Sequence, residues 1–184
     1  MKLTQFAAVI TLAMSFLILV SCSGTSDLAT RTGSKASAYP EWYNAHQTFI
    51  ADSAGVFSGY ATALAGDSAA AVQKAFSHAA AELQAGISGR LESVRKKAAD
   101  ELGNRSGLNT AGFIVTLRNA ETHIAGASEK VHADANSNTS YSGYRGFAEA
   151  KVSREALMSQ LDKAMRRYRT AWSAMKTSQA FAEF

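Results

Sequence analysis

The chain has 184 residues, with 19 Lys and Arg against 15 Asp and Glu, and a formal charge of +4 at pH 7. That length suits one folded domain with accessory segments, and so mild a positive bias does not indicate nucleic acid but favours anionic lipid headgroups or cell-wall polymers. The single cysteine excludes an internal disulfide and any metal site built from several thiolates.

After Lys2, the run from Phe6 to Val20 is almost wholly apolar and ends in Leu19-Val20-Ser21-Cys22. About fifteen apolar residues engage the secretion machinery but are too few to span a bilayer comfortably, so residues 1–21 read as a lipoprotein signal peptide and not as a transmembrane anchor. Small Ser21 suits a peptidase pocket, and Cys22 supplies the thiol that receives a diacylglycerol thioether. The alternative is a chance or packing cysteine, but an unpaired thiol in an exported chain is a liability unless it is modified. Each buried methylene contributes roughly 0.8 kcal/mol, so a triacylated Cys22, with palmitate among its chains, stays on its membrane. This covalent lipid is the one prosthetic group expected. Ser23 in place of an aspartate resembles an outer-membrane sorting signal, which puts the domain in the periplasm, with surface exposure as the alternative.

From Ser23 to Ala38 the chain is rich in Ser, Thr, Gly and Ala without apolar periodicity, so residues 22–38 are expected to form a flexible tether and residues 39–184 the domain. Tyr39-Pro40-Glu41-Trp42-Tyr43 then clusters three aromatics around the only proline. The rings either cap the edge of the core or, at Trp42 and Tyr43, anchor a partner. Val56 to Ala65 alternates larger and small residues as a strand does, and Gly66-Asp67-Ser68 supplies a turn and a helix cap. Val72, Phe76, Ala79 and Leu83 follow at helical spacing. Ile87, Leu91, Val94, Ala98 and Leu102 continue that stripe, although Gly86 and Gly89 each weaken a helix by about 1 kcal/mol. Ile87, Gly89, Leu91 and Ser93 also fit a strand, but periodicity favours the long helix. After the break from Gly103 to Gly107, Asn109 or Thr110 caps a helix whose stripe is Phe113, Leu117, Ala120 and Ile124.

Ala125 to Asp134 and Tyr141 to Val152 read as two strands joined by a polar turn at Asn136-Ser137-Asn138. Tyr144, Gly146, Ala148, Ala150 and Val152 share one face, and Arg145, Phe147, Glu149 and Lys151 share the other, so one face is expected buried and one largely wet. Ser153 caps a long amphipathic C-terminal helix with the stripe Leu157, Leu161, Met165, Tyr168, Trp172 and Met175, flanked by Lys163, Arg166, Arg167, Arg169 and Lys176. The stripe packs on the sheet, joins a coiled coil or ring of identical subunits, or lies on a membrane with Trp172 inserted. The fold class is therefore α+β: a small antiparallel sheet packed by helices, with that long C-terminal helix.

Tyr39-Pro40-Glu41-Trp42-Tyr43, Ser58-Gly59-Tyr60-Ala61-Thr62-Ala63, the Ala-rich helix leading to Leu83 and Ile87, and Tyr144-Arg145-Gly146-Phe147-Ala148 together resemble the LPP-twenty-like bacterial lipoproteins, over about residues 39 to 161. The resemblance implies an outer-membrane lipoprotein of the kind associated with flagellar basal structures, a compact α+β domain, a strand from Ile87 to Arg95, and no catalytic motif. The family's first strand carries bulkier apolar residues than Phe57 to Gly66 here.

The chemistry-bearing residues agree. His46, His78, His123 and His132 are scattered, without a His-Glu-x-x-His helix or an acidic calcium loop, so neither a metal site nor catalytic residues are expected. His78 and Glu82 are four apart and read as a solvated helix-face pair; Asp100 and Glu101 read as surface charge. Neither a Gly-x-Ser-x-Gly elbow nor a phosphate-binding Gly-x-x-x-x-Gly-Lys loop is present. The expected function is non-enzymatic: a structural or assembly lipoprotein of the cell envelope, possessing a membrane contact through its lipid and a homo-oligomeric or envelope-protein partner, and not binding nucleic acid. The alternative is a regulatory module acting on a periplasmic cell-wall enzyme, which a tether reaching at most roughly 55 Å would serve poorly.

Overall fold

The structure, a computed structural model, describes residues 39–138 and 142–184. The signal peptide, Cys22 and the tether lie outside the described residues, as does Tyr141. Four strands, β1 (Phe49–Ala51), β2 (Val56–Ala65), β3 (Glu129–Asn138) and β4 (Gly143–Ser153), form one antiparallel sheet in the order β1-β2-β4-β3. Helix α1 (Ser68–Leu102) crosses one face of it. The other helices are α2 (Ala111–Glu121), α3 (Ile124–Ala127), α4 (Arg154–Ala164), α5 (Arg169–Thr177) and α6 (Gln179–Ala182), with a 3-10 turn, Met165–Tyr168, between α4 and α5. This is the α+β class expected.

The pairing of β2 with β4 sets Gly59 opposite Ala150, Ala61 opposite Ala148 and Ala63 opposite Gly146. Strand residues two apart share a face, so these six small residues make one smooth patch. Against it α1 presents Ala71, Ala75 and Ala79, all fully buried. A Cβ at Gly59 would collide with the backbone at Ala79 and Leu83, and one at Gly146 with the backbone at Ala71 and Val72. The helix therefore lies directly on strand backbone, and Val72 and Phe76, the larger members of the expected stripe, are displaced to a half-buried flank.

Asp67 caps α1, its carboxylate accepting from the Ala70 N–H at 2.8 Å. The helix runs 35 residues without interruption, so the strand that the family resemblance implied for Ile87 to Arg95 is helix instead. The reason is burial. Ile87, Leu91 and Val94 continue the line of Leu83 into the core, each contributing roughly 1.5–3 kcal/mol, which outweighs two glycines at about 1 kcal/mol each. A strand would turn Val94 away from Ile87 and Leu91. Gly86 has a packing role of its own, since the ring of Phe49 occupies the space its Cβ would take. Gly89 meets nothing within 4 Å.

Gly103 and Gly107, at φ of 73° and 76°, make the expected break, and Thr110, not Asn109, caps α2. Asn109 instead accepts from the buried Arg95, which also binds both carboxylate oxygens of Glu92 at 2.8 Å and the carbonyl of Leu108. The stripe expected to reach Ile124 breaks after Glu121, and Ile124 begins the separate α3.

Two boundaries move in the hairpin. Ala125 to Ala127 are helical, and Asn136, Ser137 and Asn138 pair with Arg145, Tyr144 and Gly143 as strand, not turn. Ser153 caps α4 as expected, from the Ala156 N–H at 3.1 Å. The C-terminal helix spans 24 residues, but it is sharply bent. Asp162 accepts hydrogen bonds from both Trp172 and Lys176, residues that a straight helix would carry about 15 and 21 Å further along. Its stripe is buried against α1 and α2: Leu157, Leu161, Met165 and Met175 share one core with Leu91, Ala98, Phe113 and Leu117. Tyr168 lies over Gly112 and meets Phe113 edge-on at 6.0 Å.

The two glycines of α1 make opposite predictions. Gly89→Ala, with open space and an ordinary helical backbone, is expected to raise stability by about 0.5–1 kcal/mol. Gly86→Ala is expected to lower it by about 1–3 kcal/mol by displacing Phe49. Urea denaturation of both variants reads the difference, and a gain at Gly86 would contradict the packing described.

Candidate functional site

The face of the sheet turned away from α1 is covered by the aromatic segment at residues 39–43. Pro40 closes a turn whose carbonyl accepts from the Tyr43 N–H at 3.0 Å. Tyr43 and Tyr39 meet Phe147 edge-on at 5.2 and 5.8 Å, Tyr43 meets Tyr60 at 6.2 Å, and Trp42 stacks on His132 at 5.2 Å. Under this strap lies Glu149, only 2% exposed. Its carboxylate accepts from the Tyr60 hydroxyl at 2.7 Å, pairs with Lys151 at 3.1 Å, and has His132 Nε2 at 3.7 Å. The face expected to be wet is therefore closed over Phe147 and Glu149. The cause is tertiary: a segment remote in sequence brings the cover. The one clue in the strand itself was Phe147 lying between Arg145 and Glu149.

Burial with such partners holds these phenols protonated. Desolvation, then the hydrogen bond to Glu149, pushes Tyr60 up to about 12; desolvation, then Tyr39, raises Tyr43. A carboxylate withdrawn from water must be paired and hydrogen-bonded, and Tyr60 and Lys151 do this for Glu149. Trp42 and Tyr43, the first candidate partner-binding residues, are half-buried parts of the strap.

The third candidate, Trp172, is 3% exposed, its indole N–H donating to Asp162. It offers no ring to a partner or a membrane. Instead it floors a cleft of about 620 Å³ inside the C-terminal bend. Lys163, Arg166 and Arg169 line the cleft, with hydroxyls from Ser159 and Ser173, and Met165 beside Trp172. Lys176 is held at 2.7 Å by Asp162 and lies over the Trp172 ring. Burial alone would raise Asp162, but the bonds from Lys176 and Trp172 outweigh it and hold the carboxyl below its usual range. Among the described residues, Lys163, Arg166 and Arg169 have no ion-pair partner. Their basic pattern was visible in the sequence; the fold that gathers them was not.

The remaining chemistry-bearing residues stay apart. His78 and Glu82 are exposed on α1 with no bond between them, as are the side chains of His46 and Asp100. Glu101 accepts from the Gln179 N–H at 3.2 Å and so holds the start of α6. Glu121 is buried, and desolvation raises its carboxyl above the usual value against the opposing bond to Ser88. Among the described residues no group of three or more His, Cys, Asp or Glu is placed to hold a metal ion, and no helix is long and apolar enough to cross a membrane.

No family model matches the chain, and neither does any curated protein or solved structure. The likeness to the LPP-twenty-like lipoproteins rests on its short motifs alone.

Tyr60 gives the strap a pH signature. Its folded pKa of about 12 lies above the unfolded 10.0, so the stability it contributes is whole below pH 10 and is lost as pH rises toward 12. A phenolate absorbance titration is expected to show Tyr60 ionising latest, with Tyr43 also displaced upward, and Tyr60→Phe to remove the latest step. A titration in which every tyrosine ionises near 10 would contradict the buried pairing with Glu149.

Proposed function

We infer that this chain is a lipid-anchored protein of the bacterial outer membrane, fixed through Cys22, whose folded unit holds an envelope partner in place and does not catalyse a reaction. The observation that carries the reading is the cationic cleft in the bend. Lys163, Arg166 and Arg169 face a space of about 620 Å³ whose one carboxylate, Asp162, is bonded to Trp172 and Lys176, an arrangement suited to gripping something negatively charged. The strap supports the anchoring half. The first residues after the tether are seated on Phe147, His132 and Tyr60, so a pull transmitted from Cys22 meets packed rings before it meets the sheet hydrogen bonds.

Self-association through the apolar stripe of the last helix receives no such support, because Leu157, Leu161, Met165, Trp172 and Met175 are buried within their own chain. Assembly is expected to use polar surface, the cleft above all.

Growth with a palmitate analogue is expected to label the wild-type protein and leave Cys22→Ala unlabelled and absent from the membrane fraction. Extraction in mild detergent, with the mass of the native complex and of co-purifying proteins, tests the rest. A large assembly with envelope components fits the proposal; one stoichiometric cell-wall enzyme would favour the regulatory module; a labelled, membrane-bound monomer with no partner after cross-linking would sink both.

A further inference from the structure

We propose that the cleft in the C-terminal bend is a binding site for a phosphate ester, with the phosphate held by Lys163, Arg166 and Arg169 and by the hydroxyls of Ser159 and Ser173. The proposal rests on the partner-holding role inferred above and names the chemistry of what is held. Arg166 lies in the 3-10 turn Met165–Tyr168, and Arg169 follows it three residues on. Side chains three apart eclipse one another in that geometry. Lys163 is three residues earlier, at the end of α4, so the cations share a side.

The carboxylate in the lining, Asp162, is taken by Trp172 and Lys176. What remains for a ligand is a set of donors: two guanidinium groups, one ammonium, and the hydroxyls of Ser159 and Ser173. Such a set calls for several acceptor oxygens on one centre. A carboxylate presents two, whereas a phosphate ester presents up to three beyond its bridging oxygen, and a guanidinium fork meets phosphate through paired hydrogen bonds. The space, about 620 Å³, falls within the range of roughly 300–1,000 Å³ found for sites that hold whole small molecules.

Phosphate esters reach an envelope protein either as lipid headgroups or as soluble phosphates, and the test separates the two. The full lipidated chain in neutral detergent micelles, carrying Trp42→Phe so that Trp172 alone reports by fluorescence, is titrated with glycerol phosphate in solution and, separately, with phosphatidylglycerol in the micelle. Saturable binding is expected in at least one arm. The double variant Arg166→Gln/Arg169→Gln should weaken it by more than about tenfold, while Arg167→Gln, the same charge change on a residue outside the lining, should leave it within about twofold. Saturation by glycerol phosphate assigns a soluble ester or polymer, and saturation only by phosphatidylglycerol assigns a headgroup. Absence of saturation in both arms, or equal weakening by Arg167→Gln, overturns the site. Cross-linking of the same preparation to envelope proteins keeps the two inferences distinct: partners retained without phosphate binding remove only the ligand assignment, and loss of both removes the holding role as well.

Discussion

The constraint on which the helix–sheet packing depends is the contact of α1 with strand backbone at Gly59 and Gly146, where any side chain would strike the helix. Two elements pressed together without side chains between them gain dense packing, but the Ala and Gly seam buries little apolar surface per residue. Compensation comes from length. Thirty-five helical residues extend about 52 Å, whereas a ten-residue strand covers about 33 Å, so α1 runs well beyond the sheet. Its far half carries the bulky Ile87, Leu91 and Val94, and these need a cover the sheet cannot give. Helices α2, α4 and α5 supply it, and the C-terminal helix bends because a straight one could not follow that cluster.

The opposite face of the sheet shows the same economy of bulk reversed. Where the small residues of β2 and β4 are turned toward α1, the large Tyr60 and Phe147 point to the other face together with Glu149, while Phe57 and Val152 fill the α1 side at the strands' other end. Left open, that face would expose an aromatic patch around a carboxylate. The strap of Tyr39, Trp42 and Tyr43 closes it, and closing it desolvates Glu149. That is tolerable only because Tyr60 and Lys151 bind the carboxylate and His132 stands beside it. The seating of residues 39–43 and the buried network are thus one arrangement.

Local chemistry was legible and tertiary cover was not. Gly66-Asp67-Ser68 and Ser153 read as cap sites, the first without saying which residue caps, because an N-cap is decided by one side chain and an N–H three residues away. Both faces of β4 read correctly because alternation is a property of the strand. Whether a face is wet depends on what arrives from elsewhere, and nothing in β4 announces a strap from residues 39–43. Gly86 was misleading in the same way, a helix weakener by propensity and a seat for Phe49 in space; β1, only three residues long, gave no periodicity to read. At Ile87 the chain's own helical stripe proved a better guide than the strand implied by resemblance.

The bend also explains why the cleft is charged as it is. Burying the apolar stripe on the core side turns the polar flank of α4 and α5 inward on itself, so Lys163, Arg166, Arg169 and Lys176 are gathered around a single carboxylate, Asp162. Lys163, Arg166 and Arg169 have no ion pair among the described residues, so like charges in one lining repel one another, weakly because the exposed groups are screened by solvent. One acidic residue at position 166 or 169 would relieve it without touching the core, because both side chains are exposed. The packing does not require that arrangement, since the apolar stripe beneath is buried whatever side chains stand at 166 and 169.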